Sequence, residues 1–198
     1  ELAAPSLTAT LGGDYDFATK TGAFQLTAAR VELAPFREFA GTFTARPLSG
    51  WTVDGVLTAT GAGAFGAGKF SARAAVQLRG GKLENAAEKI SLDGITADFA
   101  FTDLPGFVTA PGQAAGVQTG KIGDVAFHDA DFRVQLAGLH VLRVGRATAA
   151  AFGGRVGVEP FQFDPAKTDY AFTAVLDGLH LEEVLQLFPT GKATGRGV

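Results

Sequence analysis

The sequence predicts an all-β fold, a mostly antiparallel and twisted sheet, with one short amphipathic helix near 181–188. Apolar residues alternate with polar or small ones through most of the chain, which is typical of strands that bury one face. Short glycine-containing turn sequences separate these alternating segments. No helical segment long enough for a crossover connection lies between them, so the pattern disfavours a parallel sheet.

Three segments show the alternation most clearly. Segment 70–78 places apolar residues on one face: Phe70, Ala72, Ala74, Val76 and Leu78. Segments 95–101 and 170–176 do the same with Ile95, Ala97, Phe99, Phe101, and with Tyr170, Phe172, Ala174, Leu176. The pattern predicts further strands at 6–12, 14–20, 23–33, 40–46, 51–60, 132–137, 141–150 and 154–163.

Glycine and aspartate sequences predict where these strands end. We expect turns at Gly12-Gly13-Asp14, at Arg79-Gly80-Gly81-Lys82 and at Phe152-Gly153-Gly154. The alternation changes phase near Asp129–Asp131, which predicts a turn or a β-bulge there. Segment 103–120 has the longest irregular pattern, and we expect it to be a loop.

One segment near the end of the chain has helical spacing. Leu181, Val184, Leu185 and Phe188 recur at i, i+3, i+4 and i+7, and acidic residues occupy the first turn. Pro189 is expected to end the helix. Two turns are too short to be stable alone in water, so the apolar side of this helix must pack on the sheet.

Composition limits the classes of function. A net charge of −3 argues against a nucleic-acid partner, because phosphate contacts require a basic surface. The absence of cysteine removes disulfides and thiolate metal sites. His128, His140 and His180 lack metal-ligand spacing, so we expect neither a metal nor another cofactor. No apolar run spans a bilayer. We expect residues 1–198 to be a single domain and a fragment of a longer chain.

The glycine-rich segment 61–70, GAGAFGAGKF, is similar to two nucleotide-binding motifs. Both motifs require a helix to follow, because its N-terminus binds the phosphates. A strand pattern follows instead, and Phe70 stands where a phosphate-binding loop has Ser or Thr. The segment therefore predicts a hairpin. With no G-x-S-x-G sequence and no carboxylate pair singled out, we expect no enzymatic activity.

The one-sided apolar strands allow two architectures. They could form the packed interior of a two-sheet sandwich. They could instead form a curved open sheet whose concave face holds lipid chains, and the many Ala and Gly residues among the Phe residues would leave room for them. The residues alone do not distinguish these alternatives.

The last third of the chain resembles a known family. The order AFGGRVGVEPFQFDP (151–165), then LDGL (176–179), then LEEVLQLFPTGKATGRG (181–197) is similar to the C-terminal domain of YdbH-like proteins. These belong to the AsmA-like envelope proteins, with TamB and YhdP, and the domain carries the label "dicarboxylate transport". The resemblance is clearest over 120–198. His180 stands where many relatives have Asp, a better helix N-cap, which leaves the start of the helix in question.

The resemblance implies an open groove or half-barrel that conducts phospholipid between the inner and outer membranes of a Gram-negative envelope. It implies a periplasmic location, acyl chains as partners, and a membrane anchor outside this fragment. We do not expect dicarboxylate binding, because Arg133, Arg143, Arg146 and Arg155 are spread among predicted strands. Exposed strand edges would allow edge-to-edge self-association.

The predicted groove residues are the apolar ones of three strands: Ile95, Phe99, Phe101, Val156, Val158, Tyr170, Phe172 and Leu176. The apolar side of the helix, Leu181, Val184, Leu185 and Phe188, would cap or border the groove. Two alternatives remain at this point. One is an assembly module that binds β-strands of outer-membrane proteins, and the other is an envelope hydrolase, which would require a polar cluster in the groove.

Overall fold

A computed structural model describes residues 2–4, 6–34, 50–139, 141–164 and 172–185 of the chain. Thirteen strands form one sheet in this part. They are β1 (Leu2–Ala4), β2 (Leu7–Asp16), β3 (Thr21–Glu32), β4 (Trp51–Gly66), β5 (Lys69–Asn85), β6 (Ile90–Asp103), β7 (Val108–Thr109), β8 (Gln113–Ile122), β9 (Val125–Leu136), β10 (Leu142–Ala151), β11 (Gly154–Val158), β12 (Phe161–Phe163) and β13 (Ala174–Asp177). One helix, α1 (Leu181–Leu185), follows them.

The sheet is an antiparallel meander. Eleven strands lie side by side in chain order, and the short β7 and β12 pair with β6 and β10 beside β8 and β11. The edge strands β1 and β13 do not pair with each other, so the sheet is open. The predicted all-β antiparallel open fold is therefore confirmed. The predicted strand 40–46 lies outside the described residues.

The glycine-rich segment 61–70 is a hairpin, as predicted. β4 and β5 pair continuously up to Gly66 and Lys69, and Phe65 lies opposite Phe70. The two connecting residues, Ala67 and Gly68, have φ values of +50° and +73°. A two-residue turn with positive φ at both positions matches the twist of antiparallel strands, which is why glycine is favoured there.

Two predicted turns and the predicted loop are wrong. Gly12-Gly13 lies inside β2, and Gly80-Gly81 lies inside β5. A Cβ on Gly81 would lie 2.9 Å from the Ile95 Cβ, so this glycine allows close strand approach rather than a chain reversal. Segment 103–120 contains β7 and most of β8. Its small residues made the strand pattern too weak to detect.

Bulges follow one another across the sheet. Positive φ values occur at Gly55 in β4, Gly80 in β5, Gly94 in β6 and Asp129 in β9. A Cβ on Gly94 would lie 2.5 Å from the Cβ of Gln118 in β8, so β6 and its neighbour approach closely at this irregularity. The positive φ of Asp129 and the register shift between Thr148 and Ala150 opposite it confirm the predicted phase change as a bulge. Aligned bulges strengthen the twist and bend the sheet.

The two faces of the sheet differ sharply. Register pairs such as Val76–Phe99 and Ala97–Ala115 trace one face, hereafter the apolar face, from β2 to β13. All eight buried hydrophobic residues lie on it: Ala72, Ala97, Val117, Ala130, Val134, Val144, Ala147 and Ala151. On the opposite, polar face Ala75 of β5 is exposed, although its neighbour Ala74 lies on the apolar face. The side chains of the apolar face therefore shelter one another.

Main contacts between the described elements join hydrogen-bonded neighbours, with one addition between β7 and β9. The described strands therefore do not form a two-sheet sandwich. The small core centres on Val134, Val144 and Ala147, with Phe99, Phe132, Leu142, Val158 and Phe161 packed against it. An open sheet that buries small residues without a second layer is expected when it curves towards that face.

Candidate functional site

The apolar face is free of charge over its length. On this face, charged residues such as Asp103 occur only where a described strand ends. Elsewhere, no Asp, Glu, Lys, Arg or His occupies a paired position of the described strands on this face. Its amide side chains make hydrogen bonds with the backbone. The Asn85 Oδ1 accepts from Glu88 N at 3.1 Å, and the Gln113 Oε1 accepts from Ala100 N at 2.6 Å. The face therefore offers almost purely hydrophobic contacts.

Phenylalanine rings on this face lie across glycines of the neighbouring strand. Phe24 pairs with Gly63, Phe65 with Gly22, and Phe127 with Gly120. At Gly22, an added Cβ would lie 2.5 Å from the Phe65 Cζ, so the ring occupies the space of the missing side chain. Such pairing shields the glycine backbone and keeps the ring close to the sheet. These rings therefore lie flat on the sheet and form a shallow apolar surface rather than an interdigitated core.

The structure places six of the eight predicted groove residues on this same face. Phe99 pairs with Val76, Phe101 with Ala74 and Ile95 with Gly81. At the other end of the sheet, Val156 pairs with Leu176, and Val158 with Ala174.

The remaining predicted residues are placed less completely. The ring of Phe172 contacts Phe161, with centroids 6.0 Å apart, and Phe161 pairs with Val144 of the apolar face. Tyr170 and Phe188 lie outside the described residues, as do the side chains of Leu181 and Leu185. Val184 is half-buried. The predicted set thus marks two regions of one face, around β6 and around β11–β13.

Sequence reasoning missed several aromatic residues of the apolar face. They lie in β3, β4, β9 and β12: Phe24, Phe65, Phe127, Phe132 and Phe161. The available signal was the abundance of both residue types, 17 Phe and 27 Gly, and three of these rings, Phe24, Phe65 and Phe127, do lie opposite glycines. The pairing partner could not be read from local sequence, because it depends on strand register.

The polar face carries the charges of the long strands. Arg79 forms an ion pair with Asp98 of the next strand. The hydrogen bond and charge of Glu84, 3.0 Å from the Lys82 Nζ, raise the pKa of Lys82. These side chains are exposed, so each pair contributes little to the free energy of folding. This distribution of charge leaves the polar face hydrated and the apolar face hydrophobic.

The arginines are closer together than the sequence suggested. Arg133 of β9 lies directly opposite Arg146 of β10, and Arg143 precedes Arg146 by one bulged step. The expected separation therefore does not hold for Arg133, Arg143 and Arg146, because strand pairing brings them to one part of the polar face, whereas Arg155 of β11 lies opposite Ala150.

The histidines do not form a joint site within the described part of the chain. His128 Nδ1 lies 2.7 Å from the Asp129 Oδ2, and His180 Nδ1 lies 3.2 Å from the Glu183 Oε1. No group of three metal-ligating side chains occurs among the described residues. His140 lies outside them.

His180 instead organises the start of α1. Its backbone N–H donates to the Phe152 carbonyl at 2.8 Å, and its own carbonyl accepts from Glu183 N and Val184 N. The helix begins at Leu181 with His180 before it, and these bonds attach it to the β10–β11 hairpin. The difference between His180 and the Asp of many relatives had placed the start of the helix in question. The helix nevertheless begins at the predicted residue, Leu181.

These features define the chain as an all-β protein whose open antiparallel sheet has one continuous apolar face, the form expected of a lipid groove. Residues 13–198 match the family described as "YdbH-like: Intermembrane phospholipid transport protein YdbH", and the chain belongs to that family. The match extends well beyond the segment 120–198 that carried the resemblance. No curated protein and no solved structure matches the chain significantly. No helix among the described residues has the length and hydropathy of a membrane span.

Proposed function

We propose that the apolar face binds the acyl chains of phospholipids while their headgroups stay in water at the edges of the sheet. The observation that carries this proposal is the charge-free apolar face on an open sheet, in a chain of a phospholipid-transport family. Acyl chains are as apolar as the face and would cover it without requiring any polar partner. The chain would act as a conduit, with no chemical step.

Exposure of large side chains supports an apolar ligand. Leu11, Phe70 and Leu176 on this face are 56%, 55% and 59% exposed. Each Å² of such surface removed from water contributes about 25 cal/mol. Contiguous exposed apolar surface on a protein generally indicates a binding site. A lipid chain lying along the apolar face would bury these side chains together.

The dimensions also favour acyl chains. Eleven strands in sequence, spaced about 4.8 Å apart, give the face a length of about 48 Å across the strands. One leaflet of a bilayer is about 15 Å of hydrocarbon, half of its total thickness. The face is therefore about three times longer than a leaflet's acyl layer, and several lipids could follow one another along it.

We further propose the setting of this groove. Residues 1–198 would act as one groove unit of an envelope protein in the periplasm, anchored in the inner membrane by a segment outside this chain. Family membership supports the envelope setting. A hydrolytic site in the groove would need polar groups that the described part of the apolar face does not offer.

Native mass spectrometry of the chain purified without detergent tests the proposal. We expect adducts with the masses of phospholipids, and their removal by delipidation should be reversed by incubation with phospholipid vesicles. A spectrum of bare protein before and after incubation would contradict the proposal. Identical adducts on a soluble β-protein of similar size would show that the binding is unspecific.

A further inference from the structure

Three arginines form an unusual cluster on the polar face of β9 and β10. Arg133 and Arg146 are direct cross-strand neighbours, and Arg143 lies next along β10 on the same face. Like charges directly opposite one another destabilise a sheet. Among the described residues, the single ion pair of this cluster joins Arg133 Nε to Asp131 Oδ1 at 3.7 Å. Arg143 and Arg146 thus form no ion pair in the part of the chain that the structure describes.

A bulge is responsible for this arrangement. Val144 pairs with Val134 on the apolar face, and regular alternation would then direct residue 146 to the apolar face as well. The register shift between Val144 and Arg146 inserts Gly145, so that Arg146 pairs with Arg133 on the polar face. Ala147 returns to the apolar face opposite Phe132. The bulge thus re-aims one side chain towards two other arginines, a recognised use of bulges near functional sites.

A neighbouring amide side chain contacts one of these arginines. The Gln135 Nε2 donates to the Thr109 carbonyl at 3.2 Å, which turns its Oε1 towards Arg143 Nη1 at 3.4 Å. Gln162 of β12 pairs with Arg143 from the other side. A cavity of about 390 Å³ opens here, and its walls include Arg133, Arg143, Gln135 and Gln162. The cavity therefore presents several N–H donors to one small volume.

We propose that Arg133, Arg143 and Arg146 form a binding site for a phosphate group on the polar face. Arginine remains charged at any physiological pH and presents a planar set of donors that fits phosphate oxygens. A bound phosphate dianion would relieve the repulsion between Arg133 and Arg146. The site lies on the face opposite the proposed acyl-chain surface, so it does not depend on that function.

Calorimetric titration with inorganic phosphate, at constant low ionic strength, tests the site on the whole chain. We expect Arg143→Gln and Arg146→Gln each to weaken binding about tenfold, as loss of a charge-assisted hydrogen bond does. The matched control is Arg73→Gln, which removes an arginine of the polar face in β5 that pairs with Ala62. This control should bind phosphate as the wild type does.

Cosedimentation with vesicles identifies the source of the phosphate. Selective binding to phosphatidylglycerol over phosphatidylcholine vesicles, lost in the Arg143 and Arg146 variants, would assign the site to lipid headgroups. Titration heat without vesicle binding would assign it to a soluble phosphate. Absence of both signals, or equal losses in Arg73→Gln, would overturn the proposal. Circular dichroism of each variant checks that the sheet is intact.

Discussion

Adjacent alanines in β5 allow a charge to be placed on either face of the same strand. Ala74 lies on the apolar face between Gly61 and Phe101, whereas Ala75 lies on the polar face between Thr60 and Ala100. Ala74→Asp should weaken phospholipid binding, because an acyl chain over residue 74 would bury a carboxylate. Ala75→Asp should leave binding unchanged. Since both variants put Asp into the same strand, their effects on strand propensity should be similar.

The contribution of the buried charge to this effect has an upper limit. A carboxylate can avoid burial of its charge by taking up a proton, which at pH 7 costs about 1.36 kcal/mol for each of about 3.1 pH units above its usual pKa. The limit is therefore about 4 kcal/mol, or about a thousandfold in the dissociation constant. Water at the open side of the sheet reduces this loss of binding free energy. We therefore expect the dissociation constant to rise by between tenfold and a thousandfold. At pH 5 the limit falls to about 1.5 kcal/mol, or about tenfold.

Titration of each variant with a phospholipid carrying a fluorescent acyl chain measures this effect at both pH values. The expected result is weak binding by Ala74→Asp at pH 7, partial recovery at pH 5, and wild-type binding by Ala75→Asp at both. Equal losses in the two variants, or wild-type binding by Ala74→Asp at pH 7, would refute the assignment of the acyl chains to the apolar face.

Three further predictions concern the sheet itself. Gly63→Ala should lower the urea midpoint, by about 1–3 kcal/mol of unfolding free energy, because its Cβ would displace the Phe24 ring; Gly12→Ala, with nothing within 4 Å, should not. Arg146→Gln should raise the midpoint in phosphate-free buffer, because it removes the repulsion with Arg133, and an unchanged or lower midpoint would contradict this. The N–H of Ala18, 2.7 Å from the Asp16 Oδ1, holds the pKa of Asp16 below its usual 3.8. The stabilisation is therefore present above pH 3.8 and lost as pH falls through the lower, folded-state pKa. Asp16→Ala should accordingly be less stable than wild type at neutral pH, and a gap that persists in strong acid would count against this cause.

Local alternation was sufficient to predict the fold class and the sidedness of the strands. The segments around Phe70, Phe99 and Val156 each showed one apolar face, and the structure joins these faces into one surface. The hairpin at 61–70 was predictable because a strand pattern followed the glycines directly.

Features that depend on strand pairing were not predictable. Gly13 and Gly81 belong to Gly-Gly sequences that are typical of turns, yet both lie inside strands, where they accommodate close neighbours. The bulge at Gly145 changes the face of Arg146, and only the register with β9 reveals it. Phe–Gly pairs such as Phe24–Gly63 likewise join residues far apart in sequence. Chain-local periodicity contains no information on which strands become neighbours.

Site-specific photocrosslinking in the envelope shows which face of the sheet contacts phospholipid. A photoreactive phenylalanine analogue would replace Val76 on the apolar face or, in a matched variant, Gln77 on the polar face of the same strand. We expect covalent phospholipid adducts at position 76 and none above background at position 77. Equal labelling at both positions, or no phospholipid at position 76, would contradict this expectation.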